Sequence, residues 1–268
     1  NDWPQLEMAG ALAERSDGPV VYVLEQAGLL SIVLAVPAAI GWWLLIRAPQ
    51  LRRWRSLGIT FGLLFMFFLL TGGKSYYVAP MYPVLLAAGS LWFERLQAGG
   101  KRAMIGAAAV GIFIGLFISL PLVSESAVSN IDATGELGET VGWPELVDQV
   151  AVVYEMIPVA QRAATAIYTG SYGEAGAIDV LGPDAGLPAA TSGHNNYWLW
   201  GPPASHGPVI GVGQVGGTLR RVCSRTEQVG VISNPYGVEN EEAGLPLFLC
   251  LEPDRQLADI WADVKHYN

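Results

Sequence analysis

Leu57-Gly58-Ile59-Thr60-Phe61-Gly62-Leu63-Leu64-Phe65-Met66-Phe67-Phe68-Leu69-Leu70-Thr71-Gly72-Gly73-Lys74-Ser75-Tyr76-Tyr77-Val78-Ala79-Pro80-Met81-Tyr82-Pro83 sets the architecture of this chain. No charge interrupts it from Leu57 to Gly73, a length that nearly spans a bilayer. Gly72-Gly73-Lys74-Ser75 then reads as a tight turn, and an apolar run resumes over residues 76–93. The two runs are expected to form a helical hairpin. Working outward, residues 28–46 and 103–123 are also apolar and of spanning length, giving about four membrane spans. The chain is 51% hydrophobic and 15% charged, where a soluble domain carries about 25% charged residues.

Basic residues predict the orientation. Arg47, Arg52, Arg53 and Arg55 follow the first run, and Arg95, Lys101 and Arg102 separate the third from the fourth. Both short loops belong on the cytoplasmic side. Residues 1–27, the Lys74 turn and everything after about residue 124 then lie outside. From Ser124 onward there are 18 Asp+Glu against six Lys+Arg. That acidity argues against nucleic acid or an anionic surface as a partner. The chain opens Asn1-Asp2-Trp3-Pro4, with no Met, and is expected to be the C-terminal part of a longer polytopic protein.

Residues 1–27 read as an extracytoplasmic loop. Either it is a plain connection, or Trp3, Leu6, Met8 and Leu12 form one face of a short interfacial helix broken at Ser16-Asp17-Gly18-Pro19. Residues 124–142 read as a linker, and 143–268 as a small extracytoplasmic α/β domain. Helices are expected over 143–157, 172–181, 217–223 and 256–264, and strands over 164–169, 208–212, 228–233 and 247–251.

Gly211-Val212-Gly213-Gln214-Val215-Gly216 matches the dinucleotide-binding G-x-G-x-x-G pattern and follows an apolar strand. The next strand ends in Ser233-Asn234 rather than the acid that would hold a ribose, so a glycine-rich strand-to-helix turn is the preferred reading. Cys223 and Cys250 are either a disulfide, which export permits, or two buried thiols. His194, His206 and His266 have no partner at metal-ligand spacing, and no metal is expected. Ser192-Gly193-His194-Asn195-Asn196-Tyr197-Trp198-Leu199-Trp200 could bind sugar through amides and aromatic faces, but a structural turn is preferred. No nucleophile motif supports hydrolase chemistry.

Lys74, Tyr76, Tyr77 and Tyr82 are the candidate site. A lysine at a membrane boundary can simply snorkel beside an interfacial tyrosine belt. Here Pro80 and Pro83 free backbone carbonyls in the opening turns of a span, and Lys74 is the one basic residue at an outer boundary. A cation among phenols suits the phosphate of a lipid carrier.

The segment Gly73-Lys74-Ser75-Tyr76-Tyr77-Val78-Ala79-Pro80-Met81-Tyr82-Pro83 closely resembles the Gly-Lys-x-Tyr-Tyr-x-x-Pro-x-Tyr-Pro stretch of bacterial glycosyltransferase family 39 membrane proteins. These are relatives of dolichyl-phosphate-mannose protein mannosyltransferase and of the lipid A aminoarabinose transferase. Trp3-Pro4-Gln5-Leu6-Glu7, Tyr172-Gly173-Glu174-Ala175-Gly176-Ala177 and Ser192-Gly193-His194-Asn195 resemble other parts of the same proteins. The resemblance implies a multi-pass protein of the bacterial plasma membrane with a GT-C architecture. It implies inverting transfer of a sugar from a polyprenyl-phosphate donor to an extracytoplasmic acceptor, with no further cofactor. It places Lys74, Tyr76 and Tyr77, and less directly Tyr82, near the lipid phosphate or donor sugar. The acidic base of such enzymes lies in an upstream loop, so this portion alone is expected to be inactive. The competing expectation is a non-catalytic membrane anchor presenting an exported binding domain.

Overall fold

The computed structural model describes residues 3–14, 16, 18–120, 124–131 and 137–267. The chain divides into two compact units, Asn1–Leu120 and Pro121–Asn268.

The first unit is helical: α1 (Pro4–Glu14), α2 (Pro19–Leu29), α3 (Ser31–Arg47), α4 (Arg55–Thr71), α5 (Tyr82–Phe93) and α6 (Ala98–Ser119). Residues 1–27 are therefore not a plain loop. They carry α1, where an interfacial helix was one of the two expectations, and α2, which was not foreseen. Between α2 and α3 the axis bends by 103°, at Ser31, whose φ of 53° is left-handed and cannot continue a right-handed ladder. Among the described residues, two helical stretches, Pro49–Thr71 and Ala98–Leu116, are long and apolar enough to cross a membrane, and a third is if the bent pair counts as one span. This is compatible with membrane association.

The run over 76–93 is not one helix. Ser75–Met81 is 3₁₀, and α5 starts only at Tyr82. Pro80 lacks the backbone donor that an α-helix needs, whereas Pro83 sits in the first turn of α5, where that donor is dispensable. Alone, α5 rises about 18 Å, short of a hydrocarbon core of about 30 Å. The tight turn expected at 72–75 is likewise replaced. Gly72 caps α4 in the left-handed conformation (φ 68°), and residues 72–81 separate α4 from α5.

Small residues let the helices approach closely. A Cβ on Gly41 of α3 would collide with the backbone of Leu85 and Gly89, and one on Gly89 would collide with the Pro37 carbonyl. Gly58 packs on Leu45 and Ile46, and Gly62 on Trp42, so α4 runs antiparallel to α3. Ala38, Leu45, Phe61, Val78, Tyr82, Leu85 and Ala88 fill the interior. In lipid no hydrophobic force drives apolar helices together, and close backbone packing of this kind takes its place.

The second unit carries α7 (Glu125–Ile131), α8 (Trp143–Glu155), α9 (Val159–Arg162), β1 (Ala166–Thr169), α10 (Tyr172–Leu181), β2 (Ala190–Ser192), α11 (Asn196–Trp200), β3 (Val209–Val212), α12 (Gly216–Val222), β4 (Glu227–Val231) and β5 (Pro246–Cys250). The expected closing helix is a 3₁₀ segment, Leu257–Val264. The strands form one mixed sheet in the order β2-β1-β3-β5-β4. β2, β1 and β3 run parallel, and β5 lies antiparallel to both β3 and β4. Ile167 and Ile210 pack on one face against α8 and α10, through Val147, Val150 and Ile178. Their neighbours Ala166, Tyr168 and Val209 pack on the other against Leu219 and Val222 of α12 and Trp261. Both faces are covered, which is why β1 and β3 read as unbroken apolar runs.

Candidate functional site

Lys74 lies in extended conformation (φ −67°, ψ 143°) between the glycine cap of α4 and the 3₁₀ turn. Gly73 is required before it, because a Cβ there would overlap the Phe68 ring. Lys74 is half-buried, and among the described residues no carboxylate lies within ion-pair distance of it. Tyr76 and Tyr77 follow it at the surface. Their rings meet edge-on at 5.1 Å, and Tyr77 meets Phe68 in the same way at 5.1 Å. Aromatic edges in contact hold both phenols in place.

Tyr82 has a different place. Its side chain is buried and donates to Oε1 of Gln26 in α2. The Gln26 amide donates in turn to the Ser75 carbonyl at 3.0 Å and to the Tyr22 carbonyl at 3.1 Å. Gln26 thereby fastens both ends of the 3₁₀ turn to α2, and Tyr82 positions the turn. Sequence reasoning missed Gln26. The available signal was an amide within the mostly apolar Pro19–Leu29, since a polar group in such a helix usually finds a partner on another one.

In the second unit, the chain leaves the ends of β1 and β3 toward opposite faces of the sheet. This is the crevice where open α/β sheets bind ligands. Here it is filled from within. The Glu174 carboxylate accepts from the Ser171 amide at 2.9 Å, and the Ser171 hydroxyl accepts from the Glu174 amide at 3.0 Å, a capping box that opens α10. Gly213, the second glycine of the G-x-G-x-x-G string, has φ 77°, and a Cβ on it would overlap that carboxylate. A phosphate would meet a carboxylate where a nucleotide-binding loop leaves space. Glu174 is 2% exposed. Burial pushes its pKa up to about 7, Glu242 adds to the rise, and the Ser171 and Gly170 backbones hold it down.

His194 and His266 are brought together, their rings stacked at 4.9 Å. Three of their four ring nitrogens meet the backbone: Nδ1 of His194 accepts from the Tyr172 amide, and the ring of His266 lies 3.0 Å from the Gly170 carbonyl and 2.9 Å from that of Val264. His206 lies on the surface. Cys223 and Cys250 form a disulfide, with Cα atoms 6.3 Å apart. Among the described residues one acidic group could hold a cation: Glu139, Glu241 and Glu242 offer oxygens within 4.8 Å of one another. Burial and the neighbouring Glu139 raise the pKa of Glu242 to about 7.

Searches against protein-family models, curated proteins and solved structures found no match for this chain.

Proposed function

We propose that the chain is part of a multi-pass membrane glycosyltransferase that moves a sugar from a polyprenyl-phosphate donor to an acceptor outside the cytoplasm. The observation that carries this reading is Lys74, an ammonium without a carboxylate partner among the described residues, beside two exposed phenols held edge to face. The resemblance of residues 73–83 to family 39 glycosyltransferases supports it. A compact ammonium is a strong point charge for phosphate. At a membrane boundary its attraction exceeds that in bulk water. The phenols can donate to phosphate or sugar oxygens.

In this reading there are about four crossings: α3, α4, α5 with its preceding 3₁₀ turn, and α6. The cytoplasmic side is the one carrying Arg47, Arg52, Arg53 and Arg55. Arg47 stacks over Trp43 at 5.1 Å and Arg53 over Trp54 at 5.0 Å, pairings suited to an interfacial belt. The Cys223–Cys250 disulfide supports an oxidising compartment for the second unit.

The site is tested with a polyprenyl-phosphate sugar carrying a photoreactive group on the first isoprene unit, irradiated with full-length protein in membranes. The expected label falls within residues 73–82 and weakens in Lys74→Ala. Label confined to other segments, or unchanged in Lys74→Ala, contradicts the assignment.

A further inference from the structure

The turn that joins α3 to α4 carries Arg47, Arg52, Arg53 and Arg55, and no Asp or Glu occurs between Glu25 and Glu94 to balance them. Among the described residues none of the four makes an ion pair. Arg47, Arg52 and Arg53 are exposed, and Arg55 is half-buried at the base of the turn. The turn is held from within. Leu51 packs on the interior of the first unit, and the Trp42 indole of α3 donates to the Gly58 carbonyl of α4 at 2.9 Å. Two of the exposed guanidiniums rest on rings, Arg47 over Trp43 at 5.1 Å and Arg53 over Trp54 at 5.0 Å. Those rings are themselves 59% and 47% exposed. The turn opens the stretch Pro49–Thr71, which is long and apolar enough to cross a membrane. In a membrane crossed by that stretch, the two indoles lie where hydrocarbon gives way to headgroups.

We infer that this turn binds the phosphodiester headgroups of anionic phospholipids. Arginines without carboxylate partners beside a membrane span attract anionic lipid. A guanidinium fork matches two phosphate oxygens, and one stacked flat on an indole keeps its in-plane donors for them. The headgroup layer surrounds such a turn, so the guanidiniums need not share one face. Lipid is favoured over nucleic acid or an acidic protein, because the charges alternate with exposed indoles, which suit the membrane interface. The inference does not depend on the donor-site proposal: a transferase and a membrane anchor alike could carry this turn.

The test reconstitutes the full chain in phosphatidylcholine bilayers with a trace of spin-labelled phosphatidylglycerol or spin-labelled phosphatidylcholine. Electron spin resonance reads the fraction of each probe immobilised against the protein. Phosphatidylglycerol is expected to be preferred by about fivefold, the weight of one basic residue facing the headgroups, and the preference should fall as sodium chloride is raised. Arg47→Gln/Arg52→Gln/Arg53→Gln should bring it to within about twofold of unity. Arg47→Lys/Arg52→Lys/Arg53→Lys, which keeps the charge and with it the orientation of the hairpin, should retain more of it than the Gln variant. Lys74→Ala should leave it unchanged, which separates this turn from the donor site. Inorganic phosphate should compete no better than sodium chloride at equal ionic strength, which separates lipid from a free anion. Equal immobilisation of the two lipids overturns the inference, as does full preference in the Gln variant or an equal loss in the Lys variant. Loss in Lys74→Ala, or displacement by phosphate beyond the effect of ionic strength, overturns it too.

Discussion

Glu174 is a carboxyl held where water barely reaches, and its effect on stability has a definite sign. Its folded pKa of about 7 lies above the ordinary carboxylate value of about 4.3. The stabilisation is therefore complete below the unfolded pKa and is lost as pH rises through about 7. From pH 4.5 to 8 this residue should lower stability by on the order of 3 kcal/mol. Thermal unfolding of the chain in detergent should show that decline, and Glu174→Gln, which retains a capping side chain, should flatten most of it. Residual slope belongs to Glu242, shifted the same way to about 7. An unchanged profile in Glu174→Gln would remove this account of the crevice. The helix over 172–181 was expected at the bounds observed, although the box Ser171-x-x-Glu174 that opens it was not read. That the acid of this box would fill the glycine crevice was not legible either, because the contact joins Glu174 to Gly213 across two strands. Tyr82 shows the same limit: its motif pointed to a ligand, while its hydroxyl reaches Gln26, 56 residues away.

At the scale of elements, the crossing of α3 and α5 rests on Gly41 and Gly89. Gly41→Leu forces a side chain into the Leu85 carbonyl, and overpacking of this kind costs about 1–3 kcal/mol. Thermal stability of the first unit in detergent should fall accordingly, whereas Gly106→Leu on α6, with no neighbour within 4 Å, should be nearly neutral. In the second unit, the Cys223–Cys250 bond ties the end of α12 to the end of β5 across 27 residues. Cys250→Ser should cost about 2–4 kcal/mol, and unreduced protein should react with no maleimide. The strands around 166–169, 209–212 and 246–250 were legible because each is a short apolar run. β2 was not: Ala190-Thr191-Ser192 is three small residues with no hydrophobic signature, placed by pairing with β1. Hydropathy likewise found the apolar run over 76–93 but not its break, because hydropathy does not register the missing proline donor.

For the whole molecule, the proposal joins a membrane-embedded phosphate site to an acidic sheet unit with a disulfide. In that proposal the basic clusters set the sidedness. A cysteine at Arg53 should be blocked by impermeant maleimide only in inside-out vesicles, and one at Ser126 only in right-side-out vesicles; the reverse would invert the topology. The central claim is that Lys74 serves transfer from a lipid phosphate. The most direct measurement is transfer of a radiolabelled sugar from a polyprenyl-phosphate donor by full-length protein in proteoliposomes, comparing wild type, Lys74→Ala and Lys74→Arg at matched insertion. A charge-assisted hydrogen bond is worth roughly 1.5–3 kcal/mol, so Lys74→Ala should lose about tenfold to a hundredfold in rate, and Lys74→Arg should recover only part, its planar fork being a poor copy of a compact ammonium. Wild-type rates in Lys74→Ala, or full activity in Lys74→Arg, would reduce Lys74 to a snorkelling residue and contradict the account.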